Sequence, residues 1–556
     1  LTVGVLAALP VLVSTIRALS ENWMPAGDQG IIATRAYDVF SSHAPLVGQY
    51  SLVSEVVGHL TYSPGPMLYW LIALPARFGS PHAIGLAIGL ANILAALAMV
   101  TVARARGGVP LMLASALAIA VMCRSFMPEA LHDPWNPSAG LLPFAALVFL
   151  CWSVACGEVR LVPAVALVAS FSAQCQVAFL APTVGLVIVG LAGLLISRRT
   201  GEHRRAWPWA LAAVIILAAC WAPPVIDQIE HSPGNFALLY EAATRHSHKM
   251  GASAGWRALV HAIGVPPRWL RVPADPFDTR ISDATATPSL PATISAAVLL
   301  LALSLTALGG FWRRRADIAW AAVIALVLSA AFAAVAQSTP SGSYKVLGYT
   351  LWWGSIAGMW VWLTLAWSLY SVLAGPLRAR LRHSQQAAQD GSPGQHARLR
   401  LAGGALSLLA VGAVALAVSL AQGHDAHSSE YAPITSLDEQ LERSPLTPRH
   451  STIWLRTTLG GVASPLSQAI KYLLRREDLR ILQYGAMARL GPWYEIDHHR
   501  YSYVVYAYDG KPPDAKARII AQVSMSEARA PYPGAKTKPG TRTVTVSVAP
   551  AAPPRR

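Results

Sequence analysis

Long apolar runs fill most of this sequence, and they constrain its fold more than any motif does. A helix that crosses a bilayer needs about 20 mostly apolar residues. Eleven stretches approach that length: 2–19, 82–103, 109–124, 139–157, 161–180, 182–197, 207–224, 290–312, 317–336, 346–373 and 401–421. Charged residues make up only 13% of the chain, whereas soluble proteins carry roughly 25%. The sequence predicts an all-α polytopic membrane protein with about eleven transmembrane helices, and Pro182 is the expected break between the fifth and sixth.

The basic residues indicate how these helices are oriented. Lys and Arg number 44 against 28 Asp and Glu, which leaves a net charge of +16. Arg residues cluster in connections between apolar runs, and cytoplasmic connections carry such an excess. With the N terminus in the cytoplasm, every cluster falls on the cytoplasmic side: Arg104 with Arg106, Arg198 with Arg199, Arg204 with Arg205, Arg313 to Arg315, and the segment 378–400. Topology thus explains the charge, and nucleic-acid binding is not expected.

Four connections and the C-terminal segment then face outward. They are loop 1 (20–81), loop 2 (125–138), loop 3 (225–289), loop 4 (337–345) and the tail (422–556). Within loop 1, the apolar stretch Pro66–Phe78 is too short to cross the membrane, and we expect a re-entrant or interfacial helix there. The first apolar run follows Leu1 without a basic segment, which favours a signal anchor over a cleaved signal peptide.

The tail differs from the rest of the chain in composition. It contains a helix-like segment, Pro465–Arg476, and three alternating segments, Tyr501–Tyr508, Ala517–Met525 and Thr541–Val548. We predict a small α+β extracytoplasmic domain over 422–556, after a transmembrane domain over 1–421. The five cysteines lie in or beside apolar runs, so buried thiols are expected rather than a disulfide framework.

Loop 1 holds the first candidates for chemistry. Asp28 lies just beyond the first apolar run and is flanked by glycines, which permit close approach of a ligand. A carboxylate at this depth suits a general base at the membrane surface. It also suits an N-cap of the helix-like stretch Gln29–Phe40, and spacing alone leaves both roles open. Glu55 and His59, at i and i+4, are candidates to join Asp28 around a metal ion; an exposed surface pair is the alternative.

Loop 2 and the basic residues outside the cytoplasmic clusters give further candidates. His132, Asp133, Trp135 and Asn136 crowd a short connection that needs none of them, although a rigid proline-bounded turn is the alternative. Basic side chains on the outer side are candidates to hold a lipid phosphate, or else phospholipid headgroups. They are Arg35, Arg124, Lys249, Arg268, Arg271 and Lys345. Asn92, Gln174 and Gln176 lie within apolar runs and are expected to form interhelical hydrogen bonds.

Taken together, these features resemble the GT-C superfamily of membrane glycosyltransferases. The resemblance covers the whole chain in layout. At residue level it rests on Gly27-Asp28-Gln29, Tyr62-Ser63-Pro64-Gly65-Pro66, His132-Asp133-Pro134-Trp135-Asn136-Pro137, Trp221-Ala222-Pro223-Pro224, Asp227-Gln228 and Pro233-Gly234-Asn235. These strings are similar to ones in actinobacterial-type members of the superfamily, which are related to the protein-mannosyltransferase branch and to the wall arabinosyl- and mannosyltransferases. Members of the superfamily pass a sugar from a polyprenyl phosphate to an acceptor outside the cytoplasm.

The resemblance implies roles for individual residues. Asp28 would take the proton of the acceptor hydroxyl, with inversion at the anomeric carbon, and Asp133 or His132 would support the acceptor or a metal ion. Basic side chains, or a divalent cation such as Mg²⁺ or Mn²⁺, would stabilise the departing phosphate. Related branches often carry paired acids in this loop, whereas Gln29 follows Asp28 here, so the metal requirement stays open. Mannose is the preferred donor sugar and arabinofuranose the next, with a cell-envelope glycan or glycoconjugate as acceptor.

Two other functions stay open from the sequence. A transporter or flippase for a lipid-linked sugar would need ionisable groups at mid-membrane depth, and the apolar runs hold almost none. A non-catalytic scaffold of an envelope-synthesis complex would work through its tail. Aromatic tail residues suit acceptor recognition, with ordinary strand packing as the alternative; they are Trp493, Tyr501, Tyr503, Tyr506 and Tyr508.

Overall fold

The computed structural model describes residues 2–197, 203–245, 248–272, 285–341, 348–387, 393–443, 448, 450–459, 463–496, 499–510, 512–526 and 541–551. Eighteen α-helices lie within these ranges: α1 Thr2–Ser20, α2 Asp28–Tyr37, α3 Ser54–Val57, α4 Met67–Phe78, α5 His82–Cys123, α6 Asn136–Ala139, α7 Leu141–Ala155, α8 Val162–Cys175, α9 Leu180–Ser197, α10 His203–Glu230, α11 Asn235–Thr244, α12 Ala252–Ile263, α13 Leu290–Trp312, α14 Ala316–Ser338, α15 Gly354–Ala387, α16 Pro393–Ala421, α17 Ser428–Arg443 and α18 Ser464–Arg476. Five strands lie in the tail: β1 Thr452–Thr457, β2 Arg480–Leu482, β3 Tyr503–Asp509, β4 Arg518–Ser526 and β5 Thr541–Pro550.

The apolar helices account for the predicted spans. Among the described residues, nine helices are long and apolar enough to cross a membrane. One of them, α5, extends over 42 residues and is interrupted at Gly108, where φ is 66° and the helix cannot continue. Dividing α5 there and adding the shorter apolar stretch Val159–Cys175 gives the eleven predicted spans. The prediction of a helical membrane protein with about eleven spans is confirmed.

The boundary between the fifth and sixth spans differs from the prediction. Helix α8 ends at Cys175, and Gln176 has an extended backbone with φ of −148° and ψ of 131°. Helix α9 begins at Leu180, so Pro182 lies within its first turn. Proline is tolerated there because the first N–H groups of a helix have no acceptor within it. Pro182 therefore does not form the break, and the fifth span is shorter than predicted.

Helix α7 forms the centre of the membrane part. All 15 of its residues are buried, and it packs against α5, α8, α9 and α14. A helix that is apolar on all sides is stable only where it is surrounded. Its indole, Trp152 Nε1, donates to the carbonyl of Asp317 at 2.7 Å, which satisfies the polar atom of a fully buried ring. By contrast, α10, α13 and α16 expose apolar side chains, as lipid-facing helices do.

The two ends of the span bundle differ. Loops 1 and 2 and the tail contact one another at one end, which we call the loop end. At the other end, Arg106 donates to Ser153 at 3.0 Å and Arg315 pairs with Asp317 at 2.8 Å. Arg198 and Arg199 lie outside the described residues. The cytoplasmic location of the N terminus stays a prediction.

The tail forms a mixed sheet with helices on one face, so the predicted α+β domain is confirmed. The strand order is β2-β1-β3-β5-β4; β1 is parallel to β2 and β3, and β5 is antiparallel to β3 and β4. The predicted helix and three predicted strands correspond to α18, β3, β4 and β5. Sequence patterns did not indicate α17, β1 or β2.

The tail packs directly onto loop 1, and the two share one hydrophobic core. Helix α2 lies along α18, and we call this contact the joint. Ile31 and Ile32 of α2 pack in the same buried cluster as Leu466 and Ile470 of α18. A Cβ at Gly30 would lie 2.6 Å from the backbone of Gln468, so only glycine allows this approach. The two predicted domains therefore meet through shared apolar burial.

A buried carboxylate closes the joint at its far end. Asp38, at the end of α2, accepts a hydrogen bond from Arg475 Nε at 3.0 Å and another from the hydroxyl of Tyr494. His43 Nε2 lies 3.1 Å from the same carboxylate, and its ring stacks on Trp493 at 3.8 Å. Burial alone would raise the pKa of Asp38, but His43 and Arg475 outweigh it and lower the pKa. The ionised form is thus the one that this cluster holds.

We predict that Asp38→Asn destabilises the joint by roughly 3–5 kcal/mol, because Arg475 then stays buried without its carboxylate. The matched control is Asp509→Asn, which breaks the surface pair of Asp509 with Arg542, 2.7 Å apart, and should cost about 1 kcal/mol or less. Thermal unfolding of the purified proteins in detergent measures both. Equal losses in the two variants would contradict this description of the joint.

Candidate active site

Asp28 is the first residue of α2, and it does not cap that helix. The N-cap is Gly27, with φ of 52° and ψ of −132°, a conformation that favours glycine. The Gly27 N–H donates to the carbonyl of Pro465 in the tail at 3.1 Å. No side chain caps α2. The N-cap alternative for Asp28 is therefore wrong, and its carboxylate is available for another role.

The tail supplies the partner of Asp28. Arg489 Nη1 donates to Asp28 Oδ1 at 2.7 Å, across 461 positions of sequence. Both side chains are accessible, with 47% of Arg489 and 41% of Asp28 exposed. Asp28 Oδ2 has no hydrogen-bond partner in the described part of the chain. The guanidinium thus orients the carboxylate and leaves one oxygen able to accept a proton from a hydroxyl group.

Hydrogen bonds on both sides of Arg489 hold its backbone in place. The hydroxyl of Tyr62 in loop 1 donates to the carbonyl of Met487 at 3.0 Å, and Arg35 Nη1 donates to the carbonyl of Leu490. Arg35, which the sequence indicates as a phosphate-binding candidate, therefore holds the segment that carries Arg489. Arg35 also lies 3.9 Å from Asp38, so it belongs to the joint.

Loop 2 contacts both α1 and the tail, and its residue His132 is buried between them. His132 Nδ1 lies 3.1 Å from the hydroxyl of Ser14 in α1, and Nε2 lies 2.9 Å from Asp425 Oδ2 at the start of the tail. The hydroxyl of Tyr431 donates to the same carboxylate oxygen at 2.9 Å. His132 thus links α1, loop 2 and the tail, and its ring is fully buried.

Two carboxyl groups of loop 2, those of Asp133 and Glu129, are buried beside His132. Asp133 accepts from the Trp135 N–H at 2.7 Å and from the hydroxyl of Ser138 at 3.3 Å, which closes the turn before α6. Glu129 accepts from the side-chain amide of Gln29 at 2.8 Å and from the Ala426 N–H at 3.1 Å. Burial raises the pKa of both groups, and for Asp133 the neighbouring Glu129 adds to the effect.

The contact with Glu129 explains why glutamine follows Asp28. An acid at position 29 would place two carboxyl groups together in a buried site, whereas the amide of Gln29 donates to Glu129. Its side-chain oxygen also accepts from the Ala26 N–H at 3.1 Å. Gln29 therefore attaches the start of α2 to loop 2, next to Asp28.

The other candidate residues of loop 2 support the site or lie apart from it. Asn136 donates to the carbonyl of Cys175 at 3.1 Å and to the side chain of Gln176 at 2.8 Å, which ties α6 to the end of α8. The ring of Trp135 packs edge-on against Tyr349, with centroids 5.1 Å apart. Arg124 is exposed at the C-terminal end of α5.

In the part of the chain that the structure describes, no hydrogen bond or ion pair joins Asp28 to Glu55, His59, Lys249 or Arg271. Helix α3 ends at Val57, and Gly58 is left-handed with φ of 78°, so Glu55 and His59 are not neighbours on one helix. Both are exposed. Lys249 and Arg271 donate to carbonyls of loop 3 itself, and Lys345 lies outside the described residues. Within the described ranges, no three His, Cys, Asp or Glu side chains form a group that could hold a metal ion.

Several of the strings that carry the family resemblance lie where loop 1 meets α8, α10 and α11. The side chain of Asn235 accepts from the Tyr62 N–H at 2.8 Å and donates to the Tyr62 carbonyl at 3.1 Å. The Asn235 N–H donates to Asp227 at 3.1 Å. Gln174 joins the Met67 N–H of loop 1 to the Cys220 carbonyl of α10. These residues therefore position loop 1.

Comparisons with known proteins bear on the fold. No protein-family model and no curated protein sequence matches the chain. Among solved structures, it is similar to ArnT from Cupriavidus metallidurans bound to undecaprenyl phosphate, with a TM-score of 0.52 and 15% identity over 98% of this chain and 97% of ArnT. The apo state of ArnT gives a TM-score of 0.48 and 14% identity over 96% and 97%. The chain has the fold of ArnT. The GT-C fold expected from the sequence is thereby confirmed.

Arg489 is the residue beside Asp28 that sequence patterns missed. The tail contacts the loop end, and it brings Arg489 to loop 1 and Asp425 to loop 2. The available signal was local: Arg489 stands in a short segment bounded by Gly485 and Gly491-Pro492, which is typical of a tight, ordered turn. Nothing in that segment indicates its partner.

The charge on His427 predicts that the contact between the tail and loop 2 depends on pH. Burial lowers the pKa of His427, but Glu129 and Glu430 outweigh it and raise the pKa to about 10. A raised pKa contributes stability that is complete below the unfolded value of roughly 6.5 and is lost as the pH rises through about 10. The melting temperature should therefore fall as pH increases over this range, and less steeply in His427→Gln. His424→Gln, whose ring is largely exposed, is the control. Parallel profiles for wild type and His427→Gln would contradict the assignment.

Proposed function

We propose that the protein is a membrane glycosyltransferase that moves a sugar from a polyprenyl phosphate to an acceptor at the loop end. The accessible pair of Asp28 and Arg489 carries this proposal, because it places a carboxylate between loop 1 and the tail with one oxygen that no described residue bonds. The ArnT fold supports it, since ArnT was solved with undecaprenyl phosphate bound.

In the proposed reaction, Asp28 acts as the general base. The acceptor hydroxyl donates a hydrogen bond to Oδ2, and the carboxylate takes its proton as the acceptor oxygen attacks the anomeric carbon. The bond from that carbon to the phosphate oxygen breaks, and its electron pair leaves with the phosphate. A phosphate is a weak base, so the leaving group needs little protonation, and one base with in-line attack inverts the anomeric carbon.

The surroundings of Asp28 suit a donor held in the bilayer. Helix α4 is apolar and has 12 residues, too few to cross a membrane. It packs against α2, α5 and α8 while exposing Leu74 and Phe78. This arrangement favours the interfacial helix that the sequence predicts. The polyprenyl chain would remain in the lipid beside α4 while its phosphate reaches Asp28.

The finer assignments follow from the resemblance. We propose mannose as the donor sugar, with arabinofuranose second, and an envelope glycan or glycoconjugate as the acceptor. The N terminus would lie in the cytoplasm of a cell whose plasma membrane holds the protein, with the tail outside. In the tail, Tyr506 and Tyr508 are buried in β3, which favours strand packing for these two, whereas Tyr501 is half-buried beside Trp454.

The test is a transfer assay in lipid nanodiscs with radiolabelled polyprenyl-phosphate mannose or arabinose and a membrane-glycan extract. Because general-base catalysis contributes roughly 10²–10⁴-fold, Asp28→Asn should lower the transfer rate by about that factor. Asp509→Asn is the matched control, since it also neutralises an acid paired with arginine at 2.7 Å on the tail, and its rate should equal that of wild type.

Each alternative predicts a different result. Equal transfer by wild type and Asp28→Asn would keep the glycosyltransferase and contradict the base. Absence of transfer with both donors, together with binding of the lipid, would favour a transporter or a scaffold and contradict the proposed function.

A further inference from the structure

The ion pair of Arg489 with Asp28 contributes little to the stability of the fold by itself. Both side chains are about half exposed, and exposed ion pairs contribute little to stability. Yet the backbone around Arg489 is held tightly: Glu495 accepts from the Gly485 N–H at 3.0 Å and from the Met487 N–H at 2.8 Å, on one side of it. A fixed backbone beneath an accessible guanidinium is the arrangement expected of a ligand-binding arginine.

A second cation of the tail lies near Arg489 and is buried. Lys471 of α18 is 6% exposed, and its amine donates to Gln468 Oε1 at 2.7 Å. Burial and the charge of Arg489 lower the pKa of Lys471 to about 8. Across the described ranges, Lys471 forms no ion pair with a carboxylate. A buried amine whose charged neighbour is another cation is unfavourable unless an anion compensates it.

The joint determines where these two cations lie. Gln468, the hydrogen-bond partner of Lys471, is the residue whose backbone contacts Gly30, two positions after Asp28. Lys471 is one turn further along α18, and Arg489 reaches back to Asp28 itself. Arg489 and Lys471 are therefore two tail cations near the start of α2, where Asp28 is the acid that Arg489 contacts.

We propose that Arg489, with Lys471 behind it, binds the phosphate group of the lipid donor, and that this binding releases Asp28 from Arg489. The inference rests on the proposed function and assigns its donor site to the tail. A guanidinium can bond two phosphate oxygens at once, and a phosphate carries more negative charge than the carboxylate it replaces. Asp28 then loses its partner when the donor is in place, and both of its carboxylate oxygens can accept from the acceptor hydroxyl. Inorganic phosphate shares this chemistry without the lipid.

The test measures binding rather than transfer. Wild-type protein in nanodiscs is titrated with radiolabelled undecaprenyl phosphate, with undecaprenol as the phosphate-free probe and inorganic phosphate as competitor. Loss of a charge-assisted hydrogen bond should weaken undecaprenyl phosphate binding by about tenfold or more in Arg489→Gln. Arg489→Lys should lose less, and Lys471→Met should show a smaller loss than Arg489→Gln. Arg542→Gln, the matched control on the tail, should bind within about twofold of wild type.

The outcomes separate this inference from the proposed function. Weaker binding of undecaprenyl phosphate by Arg489→Gln, with undecaprenol binding unchanged, supports the phosphate site. Inorganic phosphate that competes for wild type at low concentration identifies a free-phosphate site and overturns the lipid assignment. Unchanged binding in Arg489→Gln with reduced transfer would overturn the inference and leave Arg489 as a positioning residue of a working glycosyltransferase. Absence of undecaprenyl phosphate binding in wild type would contradict the proposed function itself.

Discussion

The packing of α2 on α18 determines the position of Asp28. Helix α2 has ten residues, too few for an isolated helix to be stable in water, so its geometry comes from what holds it. At its first turn, Gly27 bonds to Pro465 and Gly30 packs against Gln468; at its end, Asp38 bonds to Arg475. The tail thus holds both ends of the helix that carries the base candidate. A change at the far end of the joint should be felt at Asp28 because a short rigid helix connects the two.

A second layer of buried polar contacts supports this helix from the membrane side. Gln29 bonds to Glu129 of loop 2, which also accepts from Ala426, and His132 bonds to Asp425. Buried polar groups are tolerated only when they are paired, and these pairs each join different parts of the chain. Loop 1, loop 2 and the tail are consequently one unit at the loop end. The buried ionisable residues of loop 2 hold this unit together. The charges of Asp28 and Arg489 at the loop end are accessible.

The parts of this structure that follow local rules could be predicted, and those set by distant pairing could not. Hydropathy indicates the spans, and alternation indicates β3, β4 and β5, because each is a property of consecutive residues. Asp28 could be selected because glycines flank a carboxylate beside a span. Its partner could not, since 461 positions separate the two residues and a single contact leaves no periodic signal. His132 lies in a crowded polar loop, which predicts chemistry. Its burial and its two hydrogen-bond partners also hold loop 2 in place, and its role in the reaction stays a prediction. Pro182 shows that a residue known as a helix breaker can also lie in the first turn of a helix.

A structure of the protein with undecaprenyl phosphate bound would show whether the active site lies between α2 and the tail. We expect a phosphate in contact with the guanidinium of Arg489 and a separation of Arg489 Nη1 from Asp28 Oδ1 well beyond the present 2.7 Å. A phosphate held elsewhere on the loop end, with the pair of Asp28 and Arg489 intact, would contradict this expectation.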